Sequence, residues 1–266
     1  MKKLLLCLTL LCSVFMITGC TSEKVTLNLK DLSTKLDTLK GNDFDRLTAY
    51  DLLYQKMENL MDIYDFNEIN VNNENIEQSE SSFAKNNDTK DMFIIVKPLD
   101  GKKETVKSEI DAYITKENLK DKTAYEEISN YLVYVVSNNN NELMKEVKNC
   151  KGQIFSSLME VSDDLLTSQY GIEKGMVEEY LIKMPMMITS SNTYMIIKPT
   201  KGNKEAVKEK INTYMTNLEE QWKTYLPDQY ELVQNRLEKE YGDYLIYIIS
   251  KDNEKVFEEI KANNQK

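Results

Sequence analysis

Apolar residues along this chain fall into short unbroken runs and longer stretches spaced at the helical period. Phe93 to Val96 and Met195 to Ile197 are unbroken and rich in β-branched residues, which reads as buried strand. Each run ends in Lys-Pro, and a proline without an N–H closes a ladder. A glycine three residues on, Gly101 or Gly202, suits a turn needing positive φ. Helical spacing follows at once, with Val106, Ile110, Tyr113 and Ile114 in one place and Val207, Ile211, Tyr214 and Met215 in the other. Tyr131 to Ser137 and Tyr244 to Ser250 are apolar at nearly every position, as expected of central strands covered on both faces. Polar turns then lead into last helices carrying Leu143, Met144 and Val147, or Val256, Phe257 and Ile260.

The two series are one unit written twice. Lys97, Pro98, Gly101, Lys103, Glu104, Val106, Lys107, Ile110 and Tyr113 meet Lys198, Pro199, Gly202, Lys204, Glu205, Val207, Lys208, Ile211 and Tyr214 at a constant offset of 101. The Tyr131 and Tyr244 runs match at an offset of 113, so the second copy carries about twelve extra residues near Gln221 to Leu232. The fronts of the units are less regular. Leu47 to Ile63 and Ile154 to Leu166 read as helices, ending in Tyr64-Asp65-Phe66 and Tyr170-Gly171-Ile172. A strand is expected at Glu179 to Met187, while Asn70 to Lys85 is so polar that it reads as a weak edge strand or a loop. Leu27, Leu29, Leu32, Leu36 and Leu39 predict a small opening helix. The fold class expected is α+β: two tandem modules, each a small, mainly antiparallel sheet with helices packed on one face.

Ahead of these modules lies a segment of another kind. Met1-Lys2-Lys3 is basic, Leu4 to Ile17 is apolar, and Ile17-Thr18-Gly19-Cys20 follows. The apolar run is too short for an ordinary membrane span and suits a secretory signal. The last four residues resemble the bacterial lipobox. That resemblance implies a diacylglyceryl group on the Cys20 thiol, cleavage after Gly19 and a membrane anchor made of lipid. The organisation expected is therefore a signal peptide over 1–19, a lipid-anchored tether over 20–25, a first module over 26–148 and a second over 149–266.

Gln169-Tyr170-Gly171-Ile172, Glu178 to Lys183, Tyr225-Leu226-Pro227, Glu240-Tyr241-Gly242-Asp243-Tyr244, Ile248-Ile249-Ser250 and Asp252 carry a second resemblance. Together they resemble an uncharacterised bacterial lipoprotein family catalogued as domain of unknown function 4358. The resemblance covers about Leu158 to Ala262. The first unit matches only at its strand blocks and looks like a diverged copy. What the resemblance implies is a membrane-anchored extracytoplasmic α+β module, with no activity attached.

Composition then removes chemistry. The chain has 266 residues, a formal net charge of −10, four Cys and no His. Without His there is no Ser-His-Asp triad, Cys-His dyad or His-bound zinc. The acidic balance argues against a nucleic-acid partner. Once Cys7 and Cys12 leave with the signal and Cys20 carries lipid, Cys150 is the remaining thiol, which excludes an intrachain disulfide and a four-Cys metal site. No phosphate-cradling or dinucleotide fingerprint occurs, and no Asp-x-Asp-x-Asp-Gly loop, so no cofactor or metal is expected. The acid pairs Asp163-Asp164, Glu178-Glu179 and Glu258-Glu259 read as solvated faces.

Three features remain as candidates. Lys97 and Lys198, at equivalent strand ends, are either ligand contacts or residues that guard the strand edge. The insertion holds Trp222, Tyr225, Pro227 and Tyr230, which make either an interaction surface for an envelope protein or a cover for its own sheet. Met184-Pro185-Met186-Met187 is dense in thioethers, which serve as core filler or as soft-metal ligands. The function expected is that of an extracytoplasmic, lipid-anchored binding or interaction module without catalysis. The alternative is a His-independent envelope hydrolase built on carboxylates or a Ser-Lys pair, which requires such a constellation in a pocket of the second unit.

Overall fold

The computed structural model describes residues 24–63, 65–85, 89–187 and 189–265, so Cys20 and the signal segment lie outside the described residues. The chain opens with α1 (Leu29–Thr38) and a short strand, β1 (Lys40–Phe44). The first unit follows as α2 (Arg46–Lys56), β2 (Leu60–Asp62), β3 (Ile76–Ala84), β4 (Met92–Pro98), α3 (Lys103–Lys116), β5 (Thr123–Ile128), β6 (Tyr131–Val136) and α4 (Asn140–Val147). Its five strands lie in the order β2-β3-β4-β6-β5, and every neighbouring pair is antiparallel. Alternation along β4 and β6 sends Phe93, Ile95, Val133 and Val135 to one face and Met92, Ile94, Val96, Leu132, Tyr134 and Val136 to the other. Ala49 and Leu53 of α2, with Leu143, Met144 and Val147 of α4, cover the first face. Val106, Ile110 and Ile114 of α3 cover the second. Each such side chain contributes about 1.5–3 kcal/mol on burial.

The second half repeats the plan. After β7 (Lys151–Gln153) come β8 (Leu158–Glu160), α5 (Asp163–Tyr170), β9 (Val177–Pro185), β10 (Thr193–Pro199), α6 (Lys204–Lys223), α7 (Pro227–Gln234), β11 (Leu237–Tyr241), β12 (Tyr244–Ile249) and α8 (Asn253–Ala262). The sheet order is β8-β9-β10-β12-β11, again antiparallel throughout. The architecture is thus α+β, as the sequence predicts. The helix layer expected on one face of each sheet is present, and a second helix layer covers the other face, which is why the central strands are apolar at every position. The extra residues of the second copy lengthen α6 to 20 residues against 14 in α3 and add α7.

Four local expectations are corrected. Leu47–Ile63 is a helix only to Lys56, because Asn59 turns left-handed (φ 58°) and the chain enters β2. Ile154–Leu166 becomes helical only at Asp163, after a left-handed Ser157 (φ 54°) and at the cap set by Ser162, whose Oγ accepts from the Leu165 N–H. The turn matching Tyr170-Gly171-Ile172 is Ile69-Asn70-Val71, not Tyr64-Asp65-Phe66: Asn70 (φ 59°) and Gly171 (φ 66°) share the left-handed conformation at the same offset of 101. The polar stretch Asn70–Lys85 contains β3, which pairs on both sides and is not an edge. Its buried serines are tolerated because Ser81 Oγ donates to the Ile63 carbonyl and Ser82 Oγ donates to Asp62.

α1 does not join the first sheet. Its Leu32 and Leu36 pack on the second, against Tyr194, Ile196, Ile246, Ile248, Val256 and Ile260. The buried Lys183 of β9 pairs with Asp37 of α1, Leu27 bridges Asn264, and the Gln265 N–H donates to the Thr26 carbonyl at 2.9 Å. The chain therefore leaves the second unit after α1, builds the first and returns. The exit and return strands, β1 and β7, pair with each other as a two-stranded ribbon (Lys40↔Gln153, Phe44↔Lys151). Asp252, at the start of α8, holds this ribbon by accepting from the Asn42 backbone N–H at 3.0 Å and from its amide at 2.6 Å.

Candidate functional site

The insertion of the second unit folds back on its own sheet. Trp222 is 2% exposed and packs with Met215 and Val233 under β10 and β12. Leu226, Tyr230 and Leu232 line the edge of the same cluster. Pro227 opens α7, where its missing N–H leaves no helix bond unmade. Of the four residues read as an interaction surface, Tyr225 and Pro227 stay exposed. Tyr230 is half-buried, with its hydroxyl accepting from Gln234, and Trp222 is interior.

Lys97 and Lys198 occupy equivalent positions and have equivalent partners. Lys97 pairs with Glu77 and Lys198 with Glu178, both at 2.7 Å. The hydrogen-bonded carboxylate raises the pKa of each lysine. Neither lines any of the clefts described below. Cys150 is buried, and burial, reinforced by Asp45 and Glu146, pushes its thiol up, the reverse of what a nucleophile needs. The acid pairs diverge: Asp163 binds Lys174 and Tyr180, Glu178 binds Lys198, Glu179 accepts from Tyr244, and Glu258 binds Lys261. Among the described residues no group of three or more His, Cys, Asp or Glu side chains is placed to hold a metal ion.

Two clefts stand out. The larger, of about 1080 Å³, is an open polar groove beside the β1–β7 ribbon, between Asn42, the start of α7, β11 and residues 250–255. Three of its charged side chains are held by the protein: Arg236 sits between Glu219 and Glu238, Asp252 accepts from Asn42, and Lys255 donates to the Gly41 carbonyl. This groove is the seam between the units.

The second cleft, of about 370 Å³, belongs to the second unit alone. It opens where α5, α6, the end of β9 and the start of β10 meet, and Met159, Met184, Met186, Met187, Tyr214, Leu218 and Trp222 form its apolar wall. Gln169, Ser190, Ser191, Thr193, Asn217 and Gln221 supply amides and hydroxyls. Not one lining residue is charged, in a chain that is 29% charged. Tyr170 supports the wall from behind: its ring lies 4.4 Å from that of Tyr214, and its hydroxyl donates to Met184 Sδ at 3.8 Å. Burial pushes both phenols up in pKa, so they remain neutral donors. The Nε1–H of Trp222 is buried and has no hydrogen-bond partner in the protein.

The equivalent corner of the first unit is charged. At the offset of 101, Ser191 and Leu218 correspond to Lys90 and Glu117, which form an ion pair at 2.9 Å across the same corner. The sequence singles out the methionine run and the tryptophan insertion separately, and the fold brings them together. The orphaned indole donor has no sequence signal, because it depends on what fails to pack beside it.

Residues 154–250 match the family model described as "Domain of unknown function (DUF4358)". The chain is similar to that family across the second unit up to Ser250, a span that contains the whole lining of the uncharged cleft. No curated protein and no solved structure matches the chain. No helix among the described residues is long and apolar enough to cross a membrane.

Proposed function

We propose that this chain is a lipid-anchored protein of the bacterial envelope, held on the extracytoplasmic face of the membrane through Cys20, and that its second unit binds a ligand without transforming it. The observation that carries the binding reading is the uncharged cleft of Met159, Met184, Tyr214 and Trp222. Pockets lined mainly by apolar side chains with a few amides and hydroxyls hold small molecules. The hydrolase alternative needs a nucleophile or carboxylate beside a base, and none of the lining residues is an acid, a lysine or a cysteine. The lipid reading rests on the basic start, the apolar run and Ile17-Thr18-Gly19-Cys20.

Metabolic labelling with a palmitate analogue tests the anchor. The wild-type chain is expected to take up label and sediment with membranes, and Cys20→Ser to do neither. Label that persists in Cys20→Ser ends the lipobox reading.

A further inference from the structure

We infer that the cleft of the second unit takes an uncharged, ring-sized apolar molecule carrying one hydrogen-bond acceptor, a carbonyl or ether oxygen, which accepts from the amides of Asn217 and Gln221. This rests on the binding reading above and narrows it to a ligand class.

Three observations converge on that class. The volume, about 370 Å³, lies at the small end of the range for ligand pockets, about 300–1,000 Å³. A wall of thioethers and aromatic rings favours ring edges and faces, because the sulfur is polarizable and the side chain adapts its shape. An uncharged lining offers nothing to offset the desolvation of an ionised ligand. The acceptor follows from the polar part of the lining. Asn217 and Gln221 bring amide donors to the cleft, the kind of sparse polar group that orients a ligand in an apolar pocket. The first unit serves as an internal comparison: Lys90 and Glu117 place an ion pair at the corresponding corner, so the two units differ in the charge there.

Trp222 is the only tryptophan in the chain, which makes the test direct. Prodan is an uncharged naphthalene with a ketone acceptor, and its absorption overlaps indole emission. Titrated into the purified full-length chain, it should quench Trp222 emission saturably. Leu218→Glu, which puts the residue of the first unit into the wall, should weaken binding at least tenfold. The double variant Asn217→Leu, Gln221→Leu keeps the bulk of the lining but removes both amide donors. It should weaken binding severalfold and shift Prodan emission to the blue through loss of the hydrogen bond. Circular dichroism of each variant separates lost binding from lost fold, and Met187→Glu at the exposed rim gives a second variant should Leu218→Glu unfold. Anilinonaphthalene sulfonate, an anion of similar size, is titrated in parallel. If the anion binds as tightly as Prodan and with the same dependence on Leu218, the ligand class is overturned and the binding reading stands. If neither probe saturates a folded chain, both fall. Prodan binding that ignores Leu218→Glu and Met187→Glu places the probe elsewhere and overturns the proposed site.

Discussion

Single residues in this fold are constrained by what approaches them, and two of them make the point from opposite sides. Gly242, in the β11–β12 turn, has φ 58°, and a Cβ there would lie 2.6 Å from Val25 Cβ. Gly101 has φ 74° with nothing within 4 Å. Gly101→Ala should therefore cost only the left-handed penalty, about 1–2 kcal/mol. Gly242→Ala should cost about 1–3 kcal/mol more through overpacking. Urea midpoints of the two variants compare these directly, and equal losses would mean that Val25 does not press on the turn. Asp91 is the opposite case, a polar group with too little around it. Its Oδ1 is buried without a partner, and desolvation raises its pKa above 3.8, with Lys122 opposing. Below pH 3.8 the carboxyl is protonated folded or unfolded and costs nothing. As pH rises from there through the folded pKa, the unfolded state ionises more readily and stability falls. Asp91→Asn, which installs the amide that Asn192 carries in the second unit, should stabilise the chain by about 0.5–1 kcal/mol at pH 7 and by nothing at pH 3. A gain of the same size at pH 3 would show that burial of charge is not its cause.

At the scale of elements the decisive assignment is that of α1. Leu32 and Leu36 are fully buried on the second sheet, while Ala49 and Leu53 of α2 play the same part on the first. Leu36→Ala should cost about 2–5 kcal/mol, and Leu53→Ala a similar amount. Hydrogen exchange distinguishes them: the first should expose amides of β10 and β12, the second those of β4 and β6. Loss of protection in β4 and β6 from Leu36→Ala would place α1 on the wrong sheet. The sequence foretells the helix and not its destination, since a leucine stripe has the same period whichever sheet it covers. The strand–turn–helix blocks after Phe93 and Met195 are legible because burial on both faces leaves no polar position to confuse the pattern. β3 is illegible for the converse reason, as serines satisfied by Ile63 and Asp62 look like a loop. The cleft is legible only in pieces. Its wall is gathered from β8, α5, β9, β10 and α6, and no local spacing announces that these meet.

On the scale of the whole molecule, one unit is nested inside the other. A fragment of residues 44–150 contains every buried apolar residue of the two clusters that cover the first sheet and should unfold cooperatively on its own. A fragment of residues 154–265 bares Tyr194, Ile196, Ile246 and Ile248, so it should lack fixed near-ultraviolet circular dichroism until a peptide of residues 24–39 is added. Recovery without the peptide would show that α1 is dispensable. Nesting also imposes an order along the chain. α1 comes first in the chain, and its sheet begins only at Leu158, after the whole of the first unit. Between the two lies a look-alike sheet. Were α1 to dock there, Leu32 would stand where Ala49 now fits, an excess of volume costing about 1–3 kcal/mol. The small Ala49 in α2 thus makes the first sheet a poorer seat for the leucine-striped α1 than for α2 itself.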